Sequence, residues 1–320
     1  MEKISVHDIK GFKFGHAQNL KAATGCTVII CEEGAACGMD SRGGSPVTRD
    51  TLALGQLFNR KLTYAVTLAG GSSFGLEASG GVASFLEKRG VGRDVGVTRV
   101  PNVCGAILFD LKCGRADVRP DFAMGWAAAE NSYSGEKLKS GNFGAGTGAT
   151  VGKALGGRFA MKGGVGSAAY RVGELMAGAV VAVNCVGDII ENGKIIAGAR
   201  GDGGFADSEK VLLREYDLHL DFGQSKTPDD NTVIGCVVTN ARMDKAGAAR
   251  VAAHGQNGVT LAVRPPHLLF DGDTMFAMSF GEVKATLDSA CILAGIAVRD
   301  AIIDAVKSAK SAYGYLGTSF

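Results

Sequence analysis

Proline, net charge, paired cysteines and long apolar runs are all scarce in this chain, and each shortage excludes something. Only 6 of 320 residues are proline and no Gly-X-Y period runs through the sequence, so a collagen-like chain is excluded. Basic and acidic residues number 34 and 32, a net charge of +2 with no basic run. That balance gives no electrostatic reason for a nucleic-acid or membrane-surface partner. The eight cysteines (Cys26, Cys31, Cys37, Cys104, Cys113, Cys185, Cys236 and Cys291) include no Cys-x-x-Cys pair, so the ligand spacing of a structural zinc site is missing. Most lie in apolar stretches and read as buried free thiols of a reducing cytosol. No segment reaches the ~18 to 20 uninterrupted apolar residues of a membrane span. Residues 1–13 alternate charged and apolar side chains, without the apolar core of a signal peptide. The expectation is a soluble, cytoplasmic protein with no metal.

What the chain has in excess is glycine, 48 residues, about twice the usual share. So much glycine calls for many tight backbone passages: turns, close packing of elements, loops approaching a ligand. Apolar residues make up 46% and charged residues 21%, enough for a sizeable core and incompatible with intrinsic disorder. No repeat, low-complexity tract or linker interrupts the chain, so 1–320 reads as a single domain. Apolar and β-branched runs predict strands over 27–31, 63–68, 105–111, 179–184, 232–239 and 274–280. Helical spacing predicts helices over 46–58, 75–88, 122–131, 245–263 and 284–310. The first has Ser45 as N-cap and Pro46 at the first helical position. Loose alternation of the two kinds of element indicates a layered α/β protein. Residues 201–230 are polar and rich in Gly, Asp, Ser and Lys, an exposed loop leading into the strand at Thr232. Such loops are also where chains are cut.

Four segments carry candidate chemistry. Gly71-Ser72-Ser73-Phe74-Gly75 matches G-x-S-x-G between a predicted strand and a predicted helix, the setting of a nucleophile elbow at Ser73. Its partners would be an acid and one of the late histidines His219, His254 or His267, although such turns are common in a glycine-rich chain. Gly144-Ala145-Gly146-Thr147-Gly148-Ala149 fits a permissive dinucleotide fingerprint, but the polar stretch before it makes a poor buried strand. A loop bringing its amides and Lys153 to a substrate fits that segment better. Asp271-Gly272-Asp273 is either a turn before a strand or a pair of acids that orients a nucleophile or an amine, and no nearby His or Glu completes a metal site. Last, Asn231-Thr232 joins the polar loop to a clean apolar strand. A threonine hydroxyl needs a base, and freeing the threonine's own α-amine, with a pKa of about 7.7 to 8.0, supplies one.

Taken in order, these segments resemble one family. They are Asp40-Ser41-Arg42-Gly43-Gly44, the run from Leu68 to Ala78, Gly144-Ala145-Gly146 through to Lys153, Val183-Asn184-Cys185-Val186-Gly187, Asn231-Thr232-Val233-Ile234 and Asp271-Gly272-Asp273-Thr274. Together they resemble the DmpA family of self-processing aminopeptidases, related to the N-terminal-nucleophile hydrolases, and within it the NylC-type nylon-oligomer hydrolases. The resemblance implies a four-layer αββα sandwich. It also implies self-cleavage between Asn231 and Thr232 into fragments 1–231 and 232–320 that stay together, with tetramers of such pairs. Thr232 would be the nucleophile and Asn184 an oxyanion donor. Lys153 matches the lysine of the nylon-oligomer branch and Lys162 that of the aminopeptidase branch. Asp271 and Asp273 match the acids of the nylon-oligomer branch, and the turn at Ser73 becomes a wall of the cleft. The implied activity is hydrolysis of linear amides, either 6-aminohexanoate oligomers or small peptides, without a cofactor. Three alternatives remain at this level: an aminopeptidase and esterase confined to short peptides, a Ser73 hydrolase, and a non-catalytic nucleotide-binding protein.

Overall fold

One strand belongs to two sheets. In the computed structural model, which describes residues 1–214 and 231–318, β3 (Thr24–Ser41) is 18 residues long. Its C-terminal half pairs antiparallel with β9 (Thr274–Val283). Beyond β9 come β8 (Thr232–Ala241), β7 (Leu175–Asn184), β6 (Gly164–Val172) and a short edge strand, β1 (Glu2–Ile4). The N-terminal half of β3 lies between β2 (Lys13–Asn19) and β4 (Thr63–Ala69), and β5 (Val103–Ile107) follows β4. Two pairs are parallel, β8 with β9 and β4 with β5.

Period-two patterning makes each strand serve two cores. In β8, Val233 and Val237 join a core with Ala297, Val298 and Ala301 of α5 (Leu287–Lys307), whereas Ile234, Cys236 and Val238 join Ile29, Val66 and Leu68 of the other sheet. Helix α4 (Lys245–Ala262) lies beside α5 on the first sheet. On the far side, α1 (Ala78–Lys88) and α2 (Phe122–Asn131) cover the second sheet through Val82, Leu86 and Ala128. The order is helix, sheet, sheet, helix, the αββα sandwich expected. A strand buried on both faces reads as an uninterrupted apolar run, which explains why β7 and β8 were legible in the sequence. The 201–230 segment, read as an exposed loop open to cutting, is partly ordered: Arg200–Gly201 pairs with Gly204–Phe205, and a six-residue helix, α3 (Ser208–Leu213), follows. Residues 215–230 of that loop, with His219, lie outside the described residues.

Several expectations need correction. Residues 46–58 form no helix: Thr48–Arg49 pairs with the edge of β5, and a single turn follows at Leu52–Leu54. Leu54 is the one buried apolar side chain of the segment, while Leu52 and Leu57 are 75% and 98% exposed, so no continuous apolar stripe holds a helix there and capping signals alone cannot. The predicted helix at 75–88 starts with the tight turn Ser72–Glu77 before α1, and the one at 284–310 is shortened to α5 under a Thr286 cap. Strands β2 and β6, rich in Gly and polar residues, were not anticipated because tertiary pairing rather than composition extends them. All eight cysteines are free and seven are buried. Among the described residues, no helix is long and apolar enough to cross a membrane.

Helices α4 and α5 cross nearly backbone to backbone. A Cβ added at Gly258 would stand 2.4 Å from the Gly295 carbonyl oxygen. Gly258→Ala is therefore expected to cost about 1 to 3 kcal/mol, as overpacking of a core does, read as a lower urea midpoint with an unchanged slope. An unaltered midpoint would mean that the helix pair tolerates separation.

Candidate active site

Register brings the site together. The antiparallel ladder of β7 and β8 ends on the pair Asn184–Thr232. On the other side of β8, the parallel neighbour places Asp271 beside Asn231 as an isolated bridge, just before β9 begins. Asn184, Asn231, Thr232, Asp271 and Asp273 thus meet at one end of the first sheet, each no more than 4% exposed. The 40–44 segment supports the acidic turn through its backbone. Arg42 N–H donates to the Asp273 carbonyl (3.0 Å), Gly44 N–H to that of Leu268 (3.2 Å), and Ser45 N–H to that of Asp271 (2.9 Å).

Hydrogen bonds position Thr232, Asp273, Asp271, Lys153 and Asn184. The Thr232 hydroxyl donates to the carbonyl of Asn231, the residue before it. That same carbonyl accepts the Gly272 N–H at 3.0 Å. The approach requires glycine, since a Cβ on residue 272 would lie 2.9 Å from Thr232 Oγ1. Asp273 accepts the Val233 N–H through Oδ1 (2.6 Å), and through Oδ2 it bonds His267 Nδ1 (2.8 Å) and accepts the His267 N–H (3.1 Å). Asp271 Oδ2 accepts the Leu268 N–H (2.6 Å), while its Oδ1 is buried without a hydrogen-bond partner. Burial, reinforced by the Asp273 carboxylate, pushes Asp271 well above the usual carboxylate range, and the charge of Lys153 pulls the other way. Lys153 is 2% exposed and donates from Nζ to the Asn184 carbonyl at 2.9 Å. The Asn184 amide is fixed at both ends: Oδ1 accepts the Thr150 N–H (2.9 Å) and Nδ2 donates to the Phe109 carbonyl (2.8 Å).

The two other candidates stand elsewhere. Lys162 is fully buried and donates to the carbonyls of Gly146 (2.9 Å), Ala149 (2.7 Å) and Gly163 (3.0 Å), which ties the glycine-rich 144–149 turn in place. That turn runs on into Thr150–Val151, a strand and not the helix that a dinucleotide site needs. Ser73 is exposed, and among the described residues no histidine bonds to it. Its turn is anchored from Gly71 N–H to Asp110 Oδ1 at 2.7 Å. Burial raises the buried Asp110 to a pKa of about 6, and it lines a cavity of about 70 Å³ with Phe109, Thr150 and Lys153. The Ser73 turn therefore borders the site from outside.

Sequence reasoning missed Gly272, His267, Thr150 and Phe109 as parts of this arrangement. Three act through main-chain groups, which composition cannot rank. His267 reads as a turn residue after Pro265-Pro266, and only the fold sets its ring on Asp273. A hint lay in the glycine between the two acids, a position that excludes a side chain.

Comparison with known proteins defines first a fold and then a family. The L-aminopeptidase D-Ala-esterase/amidase of Ochrobactrum anthropi, described as a prototype of the serine aminopeptidases and a variant of the Ntn-hydrolase fold, superposes with a TM-score of 0.70 at 15% identity, covering 99% of this chain and 91% of that one. A β-aminopeptidase of a Burkholderia species gives 0.68 at 18% identity, with 98% and 90% covered. Both share the fold. The model of peptidase family S58 matches residues 5–319, and the chain belongs to that family. It is a hydrolase of amide bonds. An uncharacterized aminopeptidase of Mycobacterium leprae is 36% identical over 308 residues, 88% of this chain and 80% of its own. The 6-aminohexanoate-oligomer endohydrolase of Paenarthrobacter ureafaciens is 32% identical over 281 residues, 86% of this chain and 75% of its own.

Lys162 offers a test of support against chemistry. Replacing it with Met leaves three buried carbonyls without their donor and is expected to cost about 2 to 4 kcal/mol. Burial draws its ammonium down from 10.5 to about 8. Between those values the unfolded chain binds more protons than the folded one, so stability from this residue rises with pH across that window. Burial raises the thiols of Cys26, Cys31 and Cys104, which lowers the stability of both proteins above about pH 9. The test is therefore the difference: the margin of the native chain over Lys162→Met should widen as denaturation is followed from pH 7.5 to 10.5.

Proposed function

We propose that the chain cuts itself between Asn231 and Thr232 and then hydrolyses linear amides through the freed Thr232. The observation that carries this reading is the Asn231 carbonyl, which receives both the Thr232 hydroxyl and the Gly272 N–H. The hydroxyl sits beside the carbonyl it would attack, and the amide N–H points at the oxygen that would become negative. In self-cleavage, Thr232 Oγ1 adds to the Asn231 carbonyl carbon and the 231–232 C–N bond breaks. The resulting ester is hydrolysed by water, leaving a carboxylate on Asn231 and an amine on Thr232. In turnover the α-amine takes the hydroxyl proton as Oγ1 attacks the substrate carbonyl, then passes it to the leaving amine. Water releases the acyl group by the reverse sequence.

The neighbours have roles that follow from their partners. Asp273 holds the Val233 N–H and so fixes the new N-terminus. Asp271 and Lys153 set the charge around the amine. Asn184, facing Thr232 across the ladder and clamped by Thr150 and Phe109, serves as an oxyanion donor. Gly272 adds a main-chain donor on the same side. His267 supports Asp273: its Nε2 lies 3.4 Å from the Thr260 hydroxyl, which makes it an orienting group and not the base. The 232–320 fragment carries β8, β9, α4 and α5, whose apolar residues share one core with those of β6 and β7 in the 1–231 fragment, so the fragments stay associated. The relatives named aminopeptidase and 6-aminohexanoate-oligomer endohydrolase support small peptides and linear ω-amino-acid oligomers as the substrate class.

Thr232→Ala should leave one uncut chain without amidase activity, whereas the native protein should give two bands on a denaturing gel, the smaller beginning at Thr232. Normal cutting in the variant would remove Thr232 from its role. Asn184→Ala should lower kcat by roughly 100-fold, as loss of one oxyanion donor does; a change in KM alone would make it a positioning residue. The rate of the processed enzyme should rise with pH as the α-amine loses its proton, and that rise should survive His254→Ala and His267→Ala. Its disappearance in either folded, cut variant would assign the base to histidine.

A further inference from the structure

A second cavity touches the peptide bond at Asn231. It holds about 200 Å³ and is lined by Val186, Leu212, Asn231, Leu268, Leu269 and Phe270. Apart from Asn231, every described residue lining it is apolar, and none carries a charge. We infer that this cavity receives the acyl half of the substrate as an uncharged aliphatic chain, an inference that rests on the Thr232 reading above.

Asn231 is the acyl half of the amide that the chain would cut first. An external amide meets the same hydroxyl and the same Gly272 N–H, so its carbonyl must take the place of the Asn231 carbonyl. The group attached to that carbonyl carbon then follows the course of residue 231, which lines this cavity. Cleavage releases Asn231 from Thr232 and makes that course available. The wall is pre-organised by the acidic turn itself: Leu268 N–H donates to Asp271 Oδ2, and the Leu268 carbonyl accepts the N–H groups of Asp271 (3.0 Å) and Gly44 (3.2 Å). The other cavity, beside Lys153, contrasts with this one. It is smaller, about 70 Å³, and Asp110, Lys112 and Lys153 line it. A charged chain end placed among Leu268, Leu269 and Phe270 gives up part of its water and gains no charged partner, whereas each methylene buried there contributes about fourfold to kcat/KM.

The test uses the self-cleaved native enzyme and a series of straight-chain acyl p-nitroanilides from acetyl to hexanoyl, with glutaryl p-nitroanilide as a carboxylate-tipped comparison. We expect kcat/KM to climb about fourfold per methylene until the cavity fills, and glutaryl to fall on the order of 100-fold below pentanoyl. Leu269 is 49% exposed, and its carbonyl accepts from the Ser45 hydroxyl whatever its side chain. Leu269→Glu should therefore fold and self-cleave yet flatten the chain-length dependence, and Leu269→Met should keep it. A flat series, a preference for glutaryl, or no turnover of any acyl anilide by an enzyme that has cut itself would overturn the acyl cavity and leave the Thr232 reading standing. Failure of the native chain to cut itself, or turnover that persists in Thr232→Ala, would overturn the reading beneath it.

Discussion

The hydrogen bond from Gly272 N–H to the Asn231 carbonyl, 3.0 Å long, organises the surroundings of the peptide bond at Thr232. It can form only because β9 runs parallel to β8, so that the turn entering β9 lies beside the residue entering β8. The turn in turn depends on segment 40–44, whose amides occupy its carbonyls, and on Leu268, whose N–H occupies one of its carboxylate oxygens. Shifting either strand by one residue would carry the Gly272 amide away from the carbonyl and exchange the two faces of β8. Cores on both faces of that strand resist the shift.

The same burial that locks the register creates the electrostatics. Four layers leave the ends of β7, β8 and β9 with little access to water, and the ionisable groups Lys153, Asp271 and Asp273 are brought to that end nearly dry. Isolated, each would be costly; Lys153 offsets the carboxylates in part, while Asp273 adds to the cost of charging Asp271. Asp273 spends both oxygens on donors, Lys153 is spent on the Asn184 carbonyl, and Asp271 keeps one oxygen without a partner. That orphaned oxygen and the raised pKa of Asp271 share one cause, desolvation, and buried imbalances of this kind collect where chemistry is done. Lys162, equally buried, shows the contrast. Three carbonyls surround it, and its task is to close a turn.

Alternation of apolar runs and helical stripes determined, from sequence alone, that the chain is layered α/β. The order of the segments around Asp40, Gly71, Lys153, Asn184, Asn231 and Asp271 determined the family. Thr232 was legible because a polar loop gives way abruptly to a strand buried on both faces, and Asp271 and Asp273 were legible as acids at the mouth of another. Which lysine enters the cluster was decided only by the tertiary structure. Lys153 and Lys162 each adjoin a glycine, and only the path of the 144–163 segment sends one to Asn184 and the other to three carbonyls. Thr150, Phe109 and the Gly272 amide were likewise invisible, because a main-chain donor or acceptor belongs to every residue type and acquires a role only by position. His267 stood out only as a partner for Ser73, and the fold sets its ring on Asp273 instead. The failed helix at 46–58 has the same physical reason in reverse. Its caps and spacing were local, and whether an apolar side chain is buried is settled by what the rest of the chain places against it.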